Sequence, residues 1–244
     1  MTLPQPTTPT PQPSTHPTNS RHPREYELAW YGLTAICALI DVVCFVALGG
    51  VFASMMTGNL LLMAVSVGKW AGWAELGRQA LPIITFMVGA VLGGRLMRLP
   101  ERLPGRIQGW RLGFALEWLF LVAATLLAWL GSPSDTNAVG QTVVALLGLS
   151  MGVHGAMVRG HGVPDLASNV MTTTLATFMS DTRAAGGASK HWQRRGGSIL
   201  VFFIAGIVGA GLTKLGGMIA PLVAACVILT LALYSLMTAA PPDD

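Results

Sequence analysis

The chain has 244 residues, of which 52% are hydrophobic and only 11% are charged, and its mean hydropathy is +0.57. This composition excludes an ordinary soluble domain and predicts an all-α polytopic membrane protein. The formal net charge of +4 comes from Lys and Arg residues clustered between apolar segments, which is typical of membrane topology signals rather than of nucleic-acid binding.

The first 25 residues differ in composition from the rest, because seven prolines alternate there with Thr, Ser and Gln. Such a segment cannot bury enough apolar surface to fold, so we predict a disordered cytoplasmic tail over 1–25. It has no apolar region of the kind found in a cleavable signal peptide, and we expect the first helix to direct insertion. The membrane domain then covers 26–238, in halves 26–131 and 138–238, before a short tail at 239–244.

Six apolar segments approach the roughly 20 residues that a helix needs to cross a bilayer. They are, in chain order, 28–48, 81–99, 112–130, 139–157, 198–213 and 218–237. The three cysteines, Cys37, Cys44 and Cys226, all lie inside these segments and form no C-x-x-C pair. We therefore expect buried thiols, no disulfide and no metal site.

Two further apolar segments, one in each half, are short and interrupted by Gly, Pro or polar residues. Residues 49–60 read GGVFASMMTGNL, and residues 162–175 read GVPDLASNVMTTTL. A helix break at membrane depth leaves backbone groups unpaired, so it persists only where it lines protein or a watery cavity. Paired breaks in two halves are typical of transporter sites, and we predict that both segments are re-entrant.

The positions of the basic residues favour this topology, because Lys and Arg concentrate on the cytoplasmic side of short loops. With six spans and two re-entrant segments, twelve of the fifteen basic residues lie inside. A seven-span alternative, in which 51–68 crosses, places ten inside and five outside. We predict six spans in a bacterial inner membrane, with both termini in the cytoplasm.

Each half then contains three spans and one re-entrant segment, and the halves start on opposite sides of the membrane. This plan is an inverted repeat. Two local similarities support it: Met56-Thr57 matches Met171-Thr172, and Phe86-x-x-Gly89 matches Phe203-x-x-Gly206.

Ionisable side chains within a span are costly, and their default interpretation is functional. Asp41 lies deep in the first span and is suited either to bind a proton or cation or to hold a helix break in place. His154 lies near the position that matches Asp41 in the repeat, and is suited to relay protons or to pack through a hydrogen bond. Glu117 is a second candidate coupling acid, or simply pairs with Arg111 or a neighbour.

The broken segments supply hydroxyls and amides. The predicted solute or ion pathway consists of Asp41, Thr57, Gly58, Asn59, His154, Asn169, Thr172 and Thr173. If the chain enters extended and leaves as a helix, Asn59 and either Ser168 or Asn169 are natural N-caps. Both helix N-termini then point inward and favour an anionic or strongly dipolar group. The alternative is that these polar groups only satisfy the broken backbone.

These residues resemble the YoaK-like family of bacterial integral membrane proteins, a family without an established function. The resemblance rests on residues 48–59 (LGGVFASMMTGN) with Asp41 upstream, and on 163–166 (VPDL) followed by 170–172 (VMT). It covers nearly all of 28–237 and implies a multipass inner-membrane protein. It departs at His154, where the family leads us to expect Gln, so a role of that amide does not carry over.

The preferred function is a small-molecule or ion permease with a midplane site between the two re-entrant segments. The alternative is a non-transporting scaffold, assembly or sensor component. An intramembrane enzyme using His154 and Asp41 ranks last, because no catalytic motif is present. The expected partners are the lipid bilayer and a small solute or ion, with no cofactor, metal or nucleic acid, and a homo-oligomer is compatible with the sequence.

Overall fold

A computed structural model describes residues 24–99, 109–161, 171–187 and 192–238. Within these ranges the chain forms eight α-helices and no strand. The predicted tails at 1–25 and 239–244 lie outside the described residues, apart from the two residues that open the first helix. The helices are α1 (Arg24–Ala47), α2 (Met56–Gly68), α3 (Trp73–Met97), α4 (Gly109–Gly131), α5 (Ala138–His161), α6 (Met171–Ser180), α7 (Trp192–Gly216) and α8 (Ile219–Thr238).

Six of these helices, α1, α3, α4, α5, α7 and α8, are long and apolar enough to cross a membrane. The 13 residues of α2 rise only about 20 Å, less than the ~30 Å hydrocarbon thickness. The prediction of a polytopic all-α protein with six spans is therefore confirmed, and α2 by itself is too short for a full crossing. Some helices extend beyond the predicted spans: α3 begins at Trp73 because Glu, Leu, Arg, Gln and Ala continue the helix past the apolar stretch.

Glycines set the closest helix contacts, as G-x-x-x-G spacing favours in membranes. The helices α3 and α5 run parallel, since Gly148 faces Thr85 near their middles and Gly160 faces Met97 near their ends. A Cβ at Gly89 would lie 2.2 Å from the carbonyl oxygen of Leu149, so only glycine allows this approach.

Of the six long helices, α1 is the most enclosed: 72% of the residues in its most apolar part are buried, against 11% for α7. It packs against α7 and α8, while α5 packs against α3 and α4. Of the short helices, α2 packs against α3 and α6 packs against α7. Large apolar side chains such as Ile84, Leu119 and Phe203 are exposed around the bundle, as expected of a surface that contacts lipid.

The two ends of the bundle differ in charge. At one end Gly49, just after α1, lies against the ion pair of Arg78 and Asp135, whose charged atoms are 3.5 Å apart. We call the other end the basic end; it holds the starts of α1, α4 and α7 and the ends of α3 and α5. The arginines there include Arg95, Arg98, Arg111, Arg159, Arg194 and Arg195.

Candidate functional site

The chain after α1 turns back along that helix. One oxygen of Asp41, Oδ1, accepts hydrogen bonds from the backbone N–H groups of Ala53 and Ser54, both at 2.8 Å. The other, Oδ2, accepts the Ser54 hydroxyl at 2.5 Å. Because Asp41 precedes the last residue of α1 by six positions, the returning segment reaches about 9 Å back along the helix. The Asp41 carboxylate, only 4% exposed, holds this segment in place.

Asn59 holds the same segment at a second point. Its amide oxygen accepts the N–H of Phe52 at 2.9 Å, and its amide nitrogen donates to the Phe52 carbonyl at 2.6 Å. The predicted N-cap role of Asn59 is wrong, because α2 already begins at Met56, with Met55 as a cap residue that makes no side-chain bond. Asn59 instead pairs with the N–H and C=O groups of Phe52, which lies outside the helices and has no regular backbone partner among the described residues.

A cavity of about 490 Å³ lies between the first turns of α2 and α6, and we call it the α2–α6 cavity. Its lining is Ser54, Met55, Met56, Thr57 and Gly58 from the first half, Met171, Thr172 and Thr173 from α6, and Phe86, Arg159 and Phe202. The two Met-Thr pairs, 115 residues apart in sequence, therefore face one space.

The electrostatics of this cavity favour negative charge. Helix N-termini carry unpaired N–H groups and a partial positive charge. In α2 the N–H of Gly58 bonds the carbonyl of Met55 at 3.0 Å, whereas the N–H of Thr57 makes no hydrogen bond within the described part of the chain. Arg159 adds a full positive charge to the lining. The arrangement suits an anion or the negative end of a dipole.

The aromatic lining of the cavity comes from both halves. It consists of Phe86 of α3 and Phe202 of α7, whereas Phe203, which the predicted repeat matches with Phe86, is 64% exposed on the outside of the bundle. Neighbouring residues on a helix point about 100° apart, so Phe202 and Phe203 occupy different faces of α7.

A second cluster lies apart from the cavity and joins three helices. His154 Nδ1 is 2.9 Å from Glu117 Oε1, and His154 Nε2 is 3.5 Å from the Sγ of Cys37. All three side chains are completely buried. Of the two partners predicted for Glu117, Arg111 or a neighbour, the structure shows the neighbour His154. The Arg111 guanidinium lies 5.2 Å from the centre of the Trp110 ring, in a position typical of a cation–π contact.

The predicted site residues thus divide into three groups. Thr57, Gly58, Thr172 and Thr173 line the α2–α6 cavity. Asp41 and Asn59 bind backbone, and His154 and Glu117 bind each other. The remaining site residue, Asn169, and the alternative cap Ser168 lie outside the described residues.

Two residues of these sites are absent from the predicted pathway. Arg159 is predicted only as a topology signal, although it is the last basic residue before the second broken segment. Cys37 is predicted as a buried thiol on the same face of α1 as Asp41, one helical turn before it, and that shared face is the sequence signal for a polar contact.

Comparison with known proteins agrees with this architecture. The UPF0700 transmembrane protein YoaK of Bacillus subtilis (strain 168) is 24% identical to the chain over 154 residues. The match covers 61% of this chain and 65% of the relative, so the chain spans just under two thirds of that relative's length. No solved structure matches the chain. The model of a family described as "Protein of unknown function (DUF1275)" matches residues 29–234, and the chain therefore belongs to this family.

Proposed function

We propose that this protein is a small permease of the bacterial inner membrane, which moves a small anionic or strongly dipolar solute through the α2–α6 cavity. The observation that carries the proposal is the meeting of two broken segments, one from each half, in a single cavity with Arg159. Discontinuous helices whose N-termini point at the substrate are a recurrent design of secondary transporters.

We infer that both short helices are re-entrant. Residues 48–72 leave α1 and join α3 at the same end of the bundle, because Gly49 and Arg78 are in contact there. The C-terminus of α6 is held by Arg195, which donates to the carbonyl of Thr177 and to the carboxylate of Asp181. Arg195 belongs to the first turn of α7, so α6 returns to the basic end. The two short helices therefore enter from opposite ends.

The helix contacts support an inverted repeat. The predicted repeat relates α1 to α5, α2 to α6, α3 to α7 and α4 to α8. When each helix is replaced by its counterpart, every pair of helices in contact becomes a pair that is also in contact. The parallel pair α3 and α5 becomes the pair α7 and α1, which also run in the same direction, since Gly197 faces Tyr31 and Gly209 faces Leu39. Such a symmetry places the two short helices on either side of one site.

We propose that the basic end faces the cytoplasm, following the positive-inside rule. Arg159 lies two residues before the end of α5, so the cavity lining extends to that end. In this state the cavity is open to the cytoplasm. Ser54, on the opposite wall, is fixed by Asp41 and marks the depth that the returning segment reaches.

The second candidate function is a non-transporting membrane component. This alternative is favoured by the contacts of Asp41 and Asn59, because both side chains already form hydrogen bonds with backbone groups. A purely structural role predicts that the α2–α6 cavity contains no site that a solute can occupy. We further propose that the protein is not an enzyme, since the Cys37, His154 and Glu117 side chains are enclosed and no substrate can reach them.

Thiol labelling in proteoliposomes tests whether the cavity is open to water. Cysteines at Thr57 or Thr172 should react with a membrane-impermeant thiol reagent that has access to the basic end. A cysteine at Leu119, a lipid-facing residue, should not react. The native background is low because Cys37 and Cys44 are buried, and Cys226→Ser removes the remaining thiol. Absence of labelling at both positions would favour the structural component.

Uptake measurements then test transport itself. Proteoliposomes are screened with a panel of small anions and zwitterions, and labelling at Thr57→Cys is repeated with each solute to detect protection. Arg159→Gln should lower uptake by about tenfold or more, because a hydrogen bond to a charged group contributes about 1.5–3 kcal/mol. Arg111→Gln, at the same end but outside the cavity, is the matched control and should retain uptake.

A further inference from the structure

We propose that Glu117, His154 and Cys37 form a proton-binding site inside the helix bundle, and that the proton is added at Glu117 Oε2. The three residues come from α4, α5 and α1, so the site lies where these helices meet. It is separate from the lining of the α2–α6 cavity. The existence of this site does not depend on transport, whereas its coupling to a solute rests on the function proposed above.

The hydrogen bonds leave one atom of the carboxyl group open. An ionised carboxylate can only accept, so His154 Nδ1 carries a hydrogen toward Glu117 Oε1. The other ring nitrogen, Nε2, then accepts the S–H of Cys37. Glu117 Oε2 is buried and has no hydrogen-bond partner among the described residues. A proton on Oε2 therefore disturbs neither of the bonds that hold the cluster together.

The charge balance also favours a bound proton. With His154 neutral and Glu117 ionised, the cluster carries one negative charge among side chains that are completely buried. Among the described residues no Lys or Arg forms an ion pair with Glu117. One proton added at Oε2 makes the cluster neutral. An uncompensated charge in the hydrocarbon region is costly, so deprotonation requires the site to open to water.

The surrounding helices supply few other ionisable groups. Residues 32–47 of α1 contribute Cys37 itself, Asp41 and Cys44, and the Asp41 carboxylate is already bound by three donors. On α3 no ionisable residue occurs between Gln79 and Gly94. The packed helix α8 contributes Cys226, which faces Thr125, and Tyr234, which is 68% exposed. On α4 the Arg111 guanidinium lies over Trp110, and on α5 Arg159 lines the α2–α6 cavity.

Two helices connect this site to the α2–α6 cavity. On α5, Arg159 follows His154 by five residues, a rise of about 7.5 Å. On α1, Cys37 precedes Asp41 by one turn, and Asp41 holds Ser54 in the cavity wall. A movement of α1 or α5 that accompanies solute binding would therefore also change the surroundings of Glu117.

Infrared difference spectroscopy tests the proton site without knowledge of the solute. The full chain in lipid nanodiscs is compared at acidic and alkaline pH, and the carbonyl stretch of protonated carboxyl groups is recorded. We expect a band that Glu117→Gln removes, while Asp41→Asn and the exposed control Glu75→Gln retain it. His154→Gln keeps an amide in the ring position but cannot carry the proton, so it should shift the midpoint of the band by roughly one pH unit or more, as expected for strongly coupled groups.

The outcomes are distinguishable. Loss of the band in Glu117→Gln, together with a shifted midpoint in His154→Gln, supports the proton site. A spectrum in which neither substitution changes any carboxyl band overturns it. If Glu117→Gln does not fold, the His154→Gln midpoint alone decides, and an unchanged midpoint contradicts the proposal. A proton site that is present in a protein without uptake overturns the permease and leaves the proton site standing.

Discussion

The Asp41 carboxylate binds Ser54 twice, through its backbone N–H at 2.8 Å and its hydroxyl at 2.5 Å, although the two residues are 13 positions apart. This contact closes the turn that follows α1. It also fixes one wall of the α2–α6 cavity, because Ser54 belongs to the lining. The position of the first broken segment therefore depends on one buried carboxylate.

Removing that carboxylate should destabilise the fold. In Asp41→Ala the N–H groups of Ala53 and Ser54 lose their acceptor while they remain buried, which should cost about 3 kcal/mol of unfolding free energy. Asp41→Asn keeps an acceptor oxygen and should lose less than half as much. Unfolding in mixed detergent micelles measures both values. Equal stability of the Ala variant and the wild type would contradict the holding role.

The α3 and α5 contact should tolerate no added side chain. A Cβ in Gly89→Ala would lie 2.2 Å from the Leu149 carbonyl oxygen, so the helices must separate, at a cost of about 1–3 kcal/mol. Gly94→Ala is the control, because nothing lies within 4 Å of that position and alanine favours the helix. Thermal denaturation in detergent should show a lower midpoint only for Gly89→Ala. A similar loss in both variants would argue against a specific contact.

The C-terminus of α6 should loosen when Arg195 is replaced. Arg195→Gln loses the charged contact with Asp181, and a loss of about 1.4 kcal/mol corresponds to tenfold faster local opening. Hydrogen exchange of 171–181 in nanodiscs should accelerate by about this factor, while exchange of α2 stays unchanged. Arg183→Gln serves as a nearby control with an exposed side chain. Uniform acceleration across both short helices would instead indicate a global loss of stability.

Reporter fusions should establish the orientation of the bundle. A reporter after Ser134, in the α4–α5 connection, should be periplasmic, and reporters after Arg106 and Gly187 should be cytoplasmic. The expectation follows from the concentration of Arg residues at the basic end. A periplasmic reporter at Gly187 would mean that α6 is part of a crossing segment, which contradicts the re-entrant arrangement.

The six spans were predictable because each needs a long apolar stretch, and this signal is local in sequence. The meeting of Thr57 and Thr172 was predictable from the matched broken segments. The N-cap assignment of Asn59 failed, because a single sequence does not reveal that the Phe52 peptide competes for the same amide. The contact between Cys37 and His154 was equally inaccessible, since it depends on how α1 and α5 pack across 117 residues of chain.

The enclosure of α1 has a consequence for biosynthesis. This helix leaves the ribosome before the other seven, yet α7 and α8, which cover it in the finished protein, are translated last. The hydrogen-bond donors to its Asp41 carboxylate, Ala53 and Ser54, follow only 12 and 13 residues later in the chain. Asp41 therefore does not have to remain without donors in lipid or in the translocon until α7 and α8 are made. The carboxylate can thus be hydrogen-bonded as soon as the turn after α1 has been synthesised, before the helices that cover α1 exist.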